Sequence, residues 1–346
     1  MLGNHAVLNP VNRCMAQERI DLSAAGGYAT AELQLSAERS AFGKKRPVPF
    51  RVHYPLAGEN HAIVVISHGA GGDIDTHFAQ AKHLASHGFV SICVEHVGSN
   101  LGRMTAGMRI AKNLREMTSD ADEARNRPAD ISFAIDCAVE WNTKHPVLKR
   151  RMDTKRIAVM GHSYGAYTAM VICGIRPALT WFKPVIPPGK GLADSLRDKR
   201  VSCGIAMSPQ APGEPFFTKE SYASLAVPLL GISGTDDRQQ GGGSPEQRRD
   251  AFSLWPKGQH AFVWLANAKH VDFTDSMGSE RRMLPSSTRE SVQHISRVAT
   301  LMFLNTHLSS GPRRTDGLSV SSLRRYLRGA VDSVSVLTKP PSAPPR

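Results

Sequence analysis

The chain has 346 residues, 41% of them hydrophobic and 21% charged, with a formal net charge of +13. That length and balance suit one large domain or two ordinary ones with a sizeable core, and they exclude a collagenous or wholly disordered chain. The cations come in short groups spread along the chain (44–46, 149–151, 248–249, 281–282, 313–314, 324–325) without interleaved aromatics, which argues for a basic surface and against a nucleic-acid site; attraction to an anionic membrane surface stays open.

The N-terminal MLGNHAVLNPVNRCMAQERI has no apolar core of a leader, and no run of about 18 apolar residues follows, so the expectation is a cytoplasmic protein without a transmembrane segment. Residues 1–27 read as an N-terminal extension. Two alternating runs, 30–35 and 48–54, then predict half-exposed strands. Continuous apolar runs follow at 62–67, 89–94, 156–160, 201–207, 227–233 and 261–266. Their Val and Ile content is that of central parallel strands covered on both faces. Helical patterns fall between them, at 77–87, 127–144, 164–173, 246–254 and 289–308, with a last one at 318–327. This alternation predicts an α/β fold over 28–330: a mostly parallel, doubly wound sheet of about eight strands. The Pro- and Gly-rich stretch 174–200 reads as a short lid or a plain surface excursion, and the Pro-rich tail 331–346 as disordered.

Cys14, Cys93, Cys137, Cys173 and Cys203 form no CxxC pair and no regular spacing, so neither a disulfide framework nor a zinc site is expected. The strongest chemical signal is Gly161-His162-Ser163-Tyr164-Gly165, a G-x-S-x-G between a buried strand and a helix. A strand turning sharply into a helix strains its middle residue, and the glycines remove side chains that would clash there. Ser163 is then held up at the C-terminal end of the sheet. A serine needs a base, and on such folds the order is Ser, acid, His. The acid belongs after the strand 227–233, where Asp236 and Asp237 stand; Asp237 is preferred, with Asp236 capping the turn. The base belongs after the strand 261–266, which singles out His270, whereas His260 sits at that strand's other end. Ser67-His68-Gly69-Ala70-Gly71-Gly72 lacks the spacing of a phosphate loop. It suits an oxyanion hole built from the backbone N–H groups of Ala70 and Tyr164.

Taken together, the segments VVISHGAGGD, LASHGFVSICVEHVGSN, RPADISFAIDCA, IAVMGHSYGAYTAM, AMSPQAPG, PLLGISGTDDRQ and NAKHVDFTD resemble the serine-dependent α/β-hydrolases known as predicted dienelactone hydrolases. That group is similar to platelet-activating-factor acetylhydrolases and, more distantly, to cutinase-like polyesterases. The resemblance implies an α/β-hydrolase fold and a serine esterase acting on small acyl esters, with no metal or cofactor. It also implies Ser163 as nucleophile, Asp237 as acid, His270 as base, and Ala70 and Tyr164 as oxyanion donors. Dienelactone hydrolases proper carry a cysteine at the elbow where this chain has Ser163, so the resemblance does not extend to their substrate. Glu95-His96-Val97-Gly98-Ser99 also fits the group, either as a border of the cleft or as a structural turn. Amide or thioester hydrolysis by the same residues, and a non-catalytic binding protein on the same fold, are the competing readings.

Overall fold

The computed structural model describes residues 21–178, 192–213, 216–238, 243–275, 286–310 and 317–339. In chain order the strands and helices are β1 (Thr30–Ala41), β2 (Lys44–Pro55), β3 (His61–Ser67), α1 (Phe78–Ser86), β4 (Phe89–Val94), α2 (Leu101–Thr105), α3 (Ile110–Ser119) and α4 (Ala121–Lys144). There follow β5 (Met152–His162), α5 (Tyr164–Ile172), β6 (Val201–Met207), β7 (Leu229–Asp236), α6 (Pro245–Asp250), β8 (Ala261–Lys269), α7 (Ser287–Leu308), α8 (Val320–Arg324) and β9 (Val334–Thr338).

The strands form one sheet in the order β1-β2-β4-β3-β5-β6-β7-β8-β9. The run from β4 through β8 is parallel; β1, β2 and β9 are antiparallel to their neighbours. This is the α/β-hydrolase arrangement. Period-two alternation divides the core. Ile63 and Val65 of β3 face one side, with Ile131 and Ile135 of α4 and the length of α5. Val64 and Ile66 face the other, with Leu84 of α1 and Val298, Leu301 and Met302 of α7. Because both faces are covered, β3 and β4 are buried at every position.

Three expectations need correction. The first is the disordered tail: Val334–Thr338 pairs residue by residue with β8, which makes nine strands in the sheet among the described residues, while 340–346 lies outside them. Its Ser- and Pro-rich flanks hide a short β-branched alternation. The second is the start of the helix at 127. It begins six residues earlier, capped by the Asp120 side chain accepting from the Asp122 and Glu123 amides. Pro128 suggests a first-turn position, but here it lies inside the helix. Its missing N–H would orphan the carbonyl four residues back, that of Ala124. The Tyr167 hydroxyl donates to that carbonyl at 3.0 Å, which removes the penalty. The third is the segment before it, where α2 and α3 fill a stretch that carried no helix expectation.

Of the N-terminal extension, 1–20 lies outside the described residues, while Leu22 is buried in the second core. The middle of the 174–200 stretch, 179–191, likewise lies outside them. The ends of that stretch are tied by an Ala178–Leu192 bridge and by Arg176 Nε donating to the Ala193 carbonyl at 2.6 Å. Cys93, Cys137, Cys173 and Cys203 are free and buried.

Candidate active site

The C-terminal ends of the parallel strands carry the site. β5 ends at His162, paired with Met207 of β6, and the chain then turns at once into α5. Ser163 makes that turn with φ 56° and ψ −118°, a conformation L-residues avoid. The flanking glycines are obligatory. A Cβ on Gly161 would lie 2.2 Å from the Gly165 carbonyl oxygen, and one on Gly165 would lie 2.0 Å from that of Ser67. The Ser163 backbone is pinned from three sides. Its N–H donates to Met207 (3.0 Å), and its carbonyl accepts from the Tyr167 N–H (3.1 Å) and from Gln210 Nε2 (2.7 Å).

Register brings the other two side chains to the serine. Asp236 of β7 pairs with Lys269 of β8, so the residues just beyond, Asp237 and His270, emerge side by side. His270 Nδ1 lies 2.7 Å from Asp237 Oδ1, and His270 Nε2 lies 2.9 Å from Ser163 Oγ. An ionised carboxylate can only accept, so Nδ1 carries the ring proton and leaves Nε2 free to accept from the serine hydroxyl. Asp236 remains exposed at the strand end, outside this line. His260 is at the opposite end of β8, where its Nδ1 accepts from the Leu229 N–H at 3.2 Å.

Asp237 is fully buried. Burial alone would push its carboxyl up. The His270 hydrogen bond, the Arg248 charge and the Ser233 hydroxyl outweigh that and hold it below the usual carboxylate range. Ser233 Oγ donates to Asp237 Oδ2 at 2.7 Å. Arg248 Nε donates to the Asp237 backbone carbonyl at 3.1 Å, and its Nη1 donates to the carbonyls of Ser208 and Pro209. Arg248 therefore ties the β7 turn to the loop that holds the Ser163 carbonyl. The His162 ring stands 4.8 Å from that of His270. Burial holds His162 well below the usual imidazole range, so it places no like charge beside His270.

The loop after β3 passes over the elbow. A Cβ on Gly69 would lie 3.5 Å from Ser163 Cβ, which brings Ala70 alongside the serine. Tyr164 opens α5, so its N–H has no carbonyl acceptor within the helix. Neither amide has a hydrogen-bond partner among the described residues.

Beneath this loop lies a buried polar cluster drawn from several of the quoted segments, whose meeting the motifs do not reveal. His68 Nε2 accepts from the His96 N–H at 3.0 Å. The His96 ring bridges Ser67 Oγ (2.9 Å) and Asp130 Oδ2 (3.0 Å). Asp130 also receives Arg39 (2.6 Å) and Arg46 (3.0 Å). The Ser99 carbonyl accepts from the Gly71 N–H at 2.9 Å, so 95–99 is a structural turn bracing the loop. Charged residues inside an otherwise apolar helix pattern, Arg127 and Asp130, were the signal for this cluster.

No protein-family model matches the chain. It is 24% identical over 188 residues to the platelet-activating factor acetylhydrolase of Cavia porcellus, covering 47% of this chain and 38% of the relative. It is 22% identical over 257 residues to that of Canis lupus familiaris, covering 66% and 51%. Similarity to cutinase 2 of Thermobifida cellulosilytica is 25% over 136 residues, covering 39% and 43%. The chain thus spans about half or less of the length of these curated relatives. Both kinds of relative are serine α/β-hydrolases, in agreement with the group the motifs resemble. Among the described residues no helix is long and apolar enough to cross a membrane, and no cluster of three or more potential metal ligands occurs.

Proposed function

We propose that the chain is a serine carboxylic-ester hydrolase working through an acyl-enzyme, with Ser163 as nucleophile, His270 as general base and Asp237 as the acid that orients it. The observation that carries this reading is the continuous line from Asp237 Oδ1 through the His270 ring to Ser163 Oγ, with contacts of 2.7 and 2.9 Å. Ester hydrolysis also agrees with the names of the relatives, and the acetylhydrolases among them favour short acyl groups.

In the first half-reaction His270 Nε2 takes the hydroxyl proton as Ser163 Oγ bonds to the ester carbonyl carbon. Asp237 stabilises the imidazolium that forms. The carbonyl oxygen becomes an oxyanion and accepts from the Ala70 and Tyr164 N–H groups, a contribution of about 3 kcal/mol per donor. Collapse breaks the bond to the alcohol oxygen, which leaves with the proton from His270. In the second half, His270 takes a proton from water as that water attacks the acyl-enzyme. The acid departs and Ser163 recovers its proton. This chemistry uses side chains and backbone amides alone.

The test is hydrolysis of p-nitrophenyl esters of increasing acyl length by wild type and Ser163→Ala. The expected result is turnover highest on the short esters and lost by about three orders of magnitude or more in the variant. Equal turnover by the two proteins would overturn the assignment.

A further inference from the structure

Arg127 is the largest fully buried side chain of the described residues. Its guanidinium addresses three separate segments. Nη2 donates to Ser67 Oγ at 3.1 Å and to the His68 carbonyl, at the base of the loop that carries Ala70. Nη1 donates to Ser99 Oγ at 2.8 Å, in the turn whose carbonyl receives Gly71. Nε donates at 3.0 Å to Thr168 Oγ1, which itself donates to the Tyr164 carbonyl. The guanidinium carbon also lies 4.4 Å from the centre of the Tyr164 ring.

None of these hydrogen-bond acceptors is a carboxylate. Burial pulls the guanidinium down to about 10, so it remains a cation at neutral pH. A buried cation held by neutral groups costs several kcal/mol of desolvation, and an apolar side chain of similar volume would brace a core at lower cost. What the guanidinium provides and an apolar side chain cannot is a rigid planar fork joining the two backbone segments that bear the Ala70 and Tyr164 amides.

We propose that Arg127 is a positioning residue of the oxyanion hole, fixing the separation of the Ala70 and Tyr164 N–H groups and holding a positive charge against the segments that carry them. The inference rests on the esterase reading above. It predicts that damage to the fork lowers kcat, since the donors act on the transition state, while KM changes little. A merely structural brace would lower stability and leave the kcat of the folded protein alone.

The experiment measures kcat, KM and thermal unfolding on one short p-nitrophenyl ester for wild type, Arg127→Lys, Thr168→Val and Ser86→Ala, with Ser163→Ala as reference. Arg127→Lys keeps the charge and loses the fork, and Thr168→Val cuts its link to α5. Ser86→Ala removes one buried hydrogen bond from α1, where Ser86 Oγ donates to the His83 carbonyl at 2.7 Å, without touching Arg127 or the Ser163 turn. The expected result is a kcat loss of about ten- to a hundredfold for Arg127→Lys and several-fold for Thr168→Val, with KM within about twofold. Ser86→Ala is expected to lower the unfolding temperature and keep kcat. If Arg127→Lys does not fold, Thr168→Val decides. Folded variants at Arg127 and Thr168 with wild-type kcat would overturn the proposal. A wild type that hydrolyses no ester, or that equals Ser163→Ala, would instead overturn the esterase reading itself.

Discussion

Two buried carboxylates, Asp237 and Asp130, sit on opposite sides of the candidate site, both fully buried and both beside arginine. Their surroundings differ in what is left over. Asp130 accepts from Arg39, Arg46 and the His96 ring, and Arg46 reaches on to Glu123 at 2.8 Å. Asp237 has one oxygen occupied by Ser233, while Arg248 lies 3.5 Å from the other and spends its hydrogen bonds on backbone carbonyls. That second oxygen accepts from His270 Nδ1 at 2.7 Å, and the ring leads on to Ser163 Oγ. Arginine hydrogen bonds on both oxygens make Asp130 a rivet, whereas Asp237 takes none from arginine on its carboxylate and suits the orienting role proposed for it. Burial, an arginine neighbour and an imidazole do not separate the two; where the arginine hydrogen bonds go does.

Paired substitutions sharpen this contrast. Asp237→Asn keeps the shape but donates toward His270, which favours the wrong tautomer, and kcat on a short ester is expected to fall about ten-thousandfold with modest loss of stability. Asp130→Asn is expected to do the reverse. It leaves the buried Arg46 and the part-buried Arg39 without their shared counter-charge, costs about 3–5 kcal/mol in a denaturant titration, and lowers the kcat of the folded fraction far less. Reversal of those two outcomes would break the comparison. Smaller is the pH effect. Burial lowers His77 to about 4, and burial beside the Lys339 charge lowers His260 to about 4. Unfolding returns both to about 6.5, so the unfolded chain binds the extra protons. Their contribution is intact above pH 6.5 and is lost as pH falls toward 4. A melting temperature several degrees lower at pH 5 than at pH 7 is expected by differential scanning fluorimetry. Smallest is Lys45→Ala. Its ion pair with Glu38 spans 3.2 Å, but both side chains are more than half exposed, and a stability change below about 0.5 kcal/mol is expected.

The same contrast explains what was legible in the sequence. Ser163, Asp237 and His270 each follow a strand with a continuous apolar run, so position along the chain carries their place in space. The elbow glycines are legible because backbone clash dictates them. Arg127 and Asp130 on α4, His96 and Arg46 belong to three separate stretches joined only by tertiary packing, and no local period announces that they meet. Gln210 and Arg248 escaped for the same reason. The place of Pro128 inside the helix is equally illegible, because the compensating hydroxyl of Tyr167 lies 43 residues away from Ala124 in sequence.

The ninth strand has a consequence for how the molecule survives in company. Without Val334–Thr338, the strand that leads to His270 would be the rim of the sheet, presenting a row of unpaired backbone donors and acceptors from Ala261 to Leu265. Such a rim recruits the strands of other chains. The short antiparallel β9 covers it and becomes the rim in its place, with Lys339 just beyond, whose N–H donates to the His260 carbonyl at 3.1 Å. The rim at that side of the sheet is thus five residues long where the strand beneath it has nine, and a proline-rich stretch follows directly.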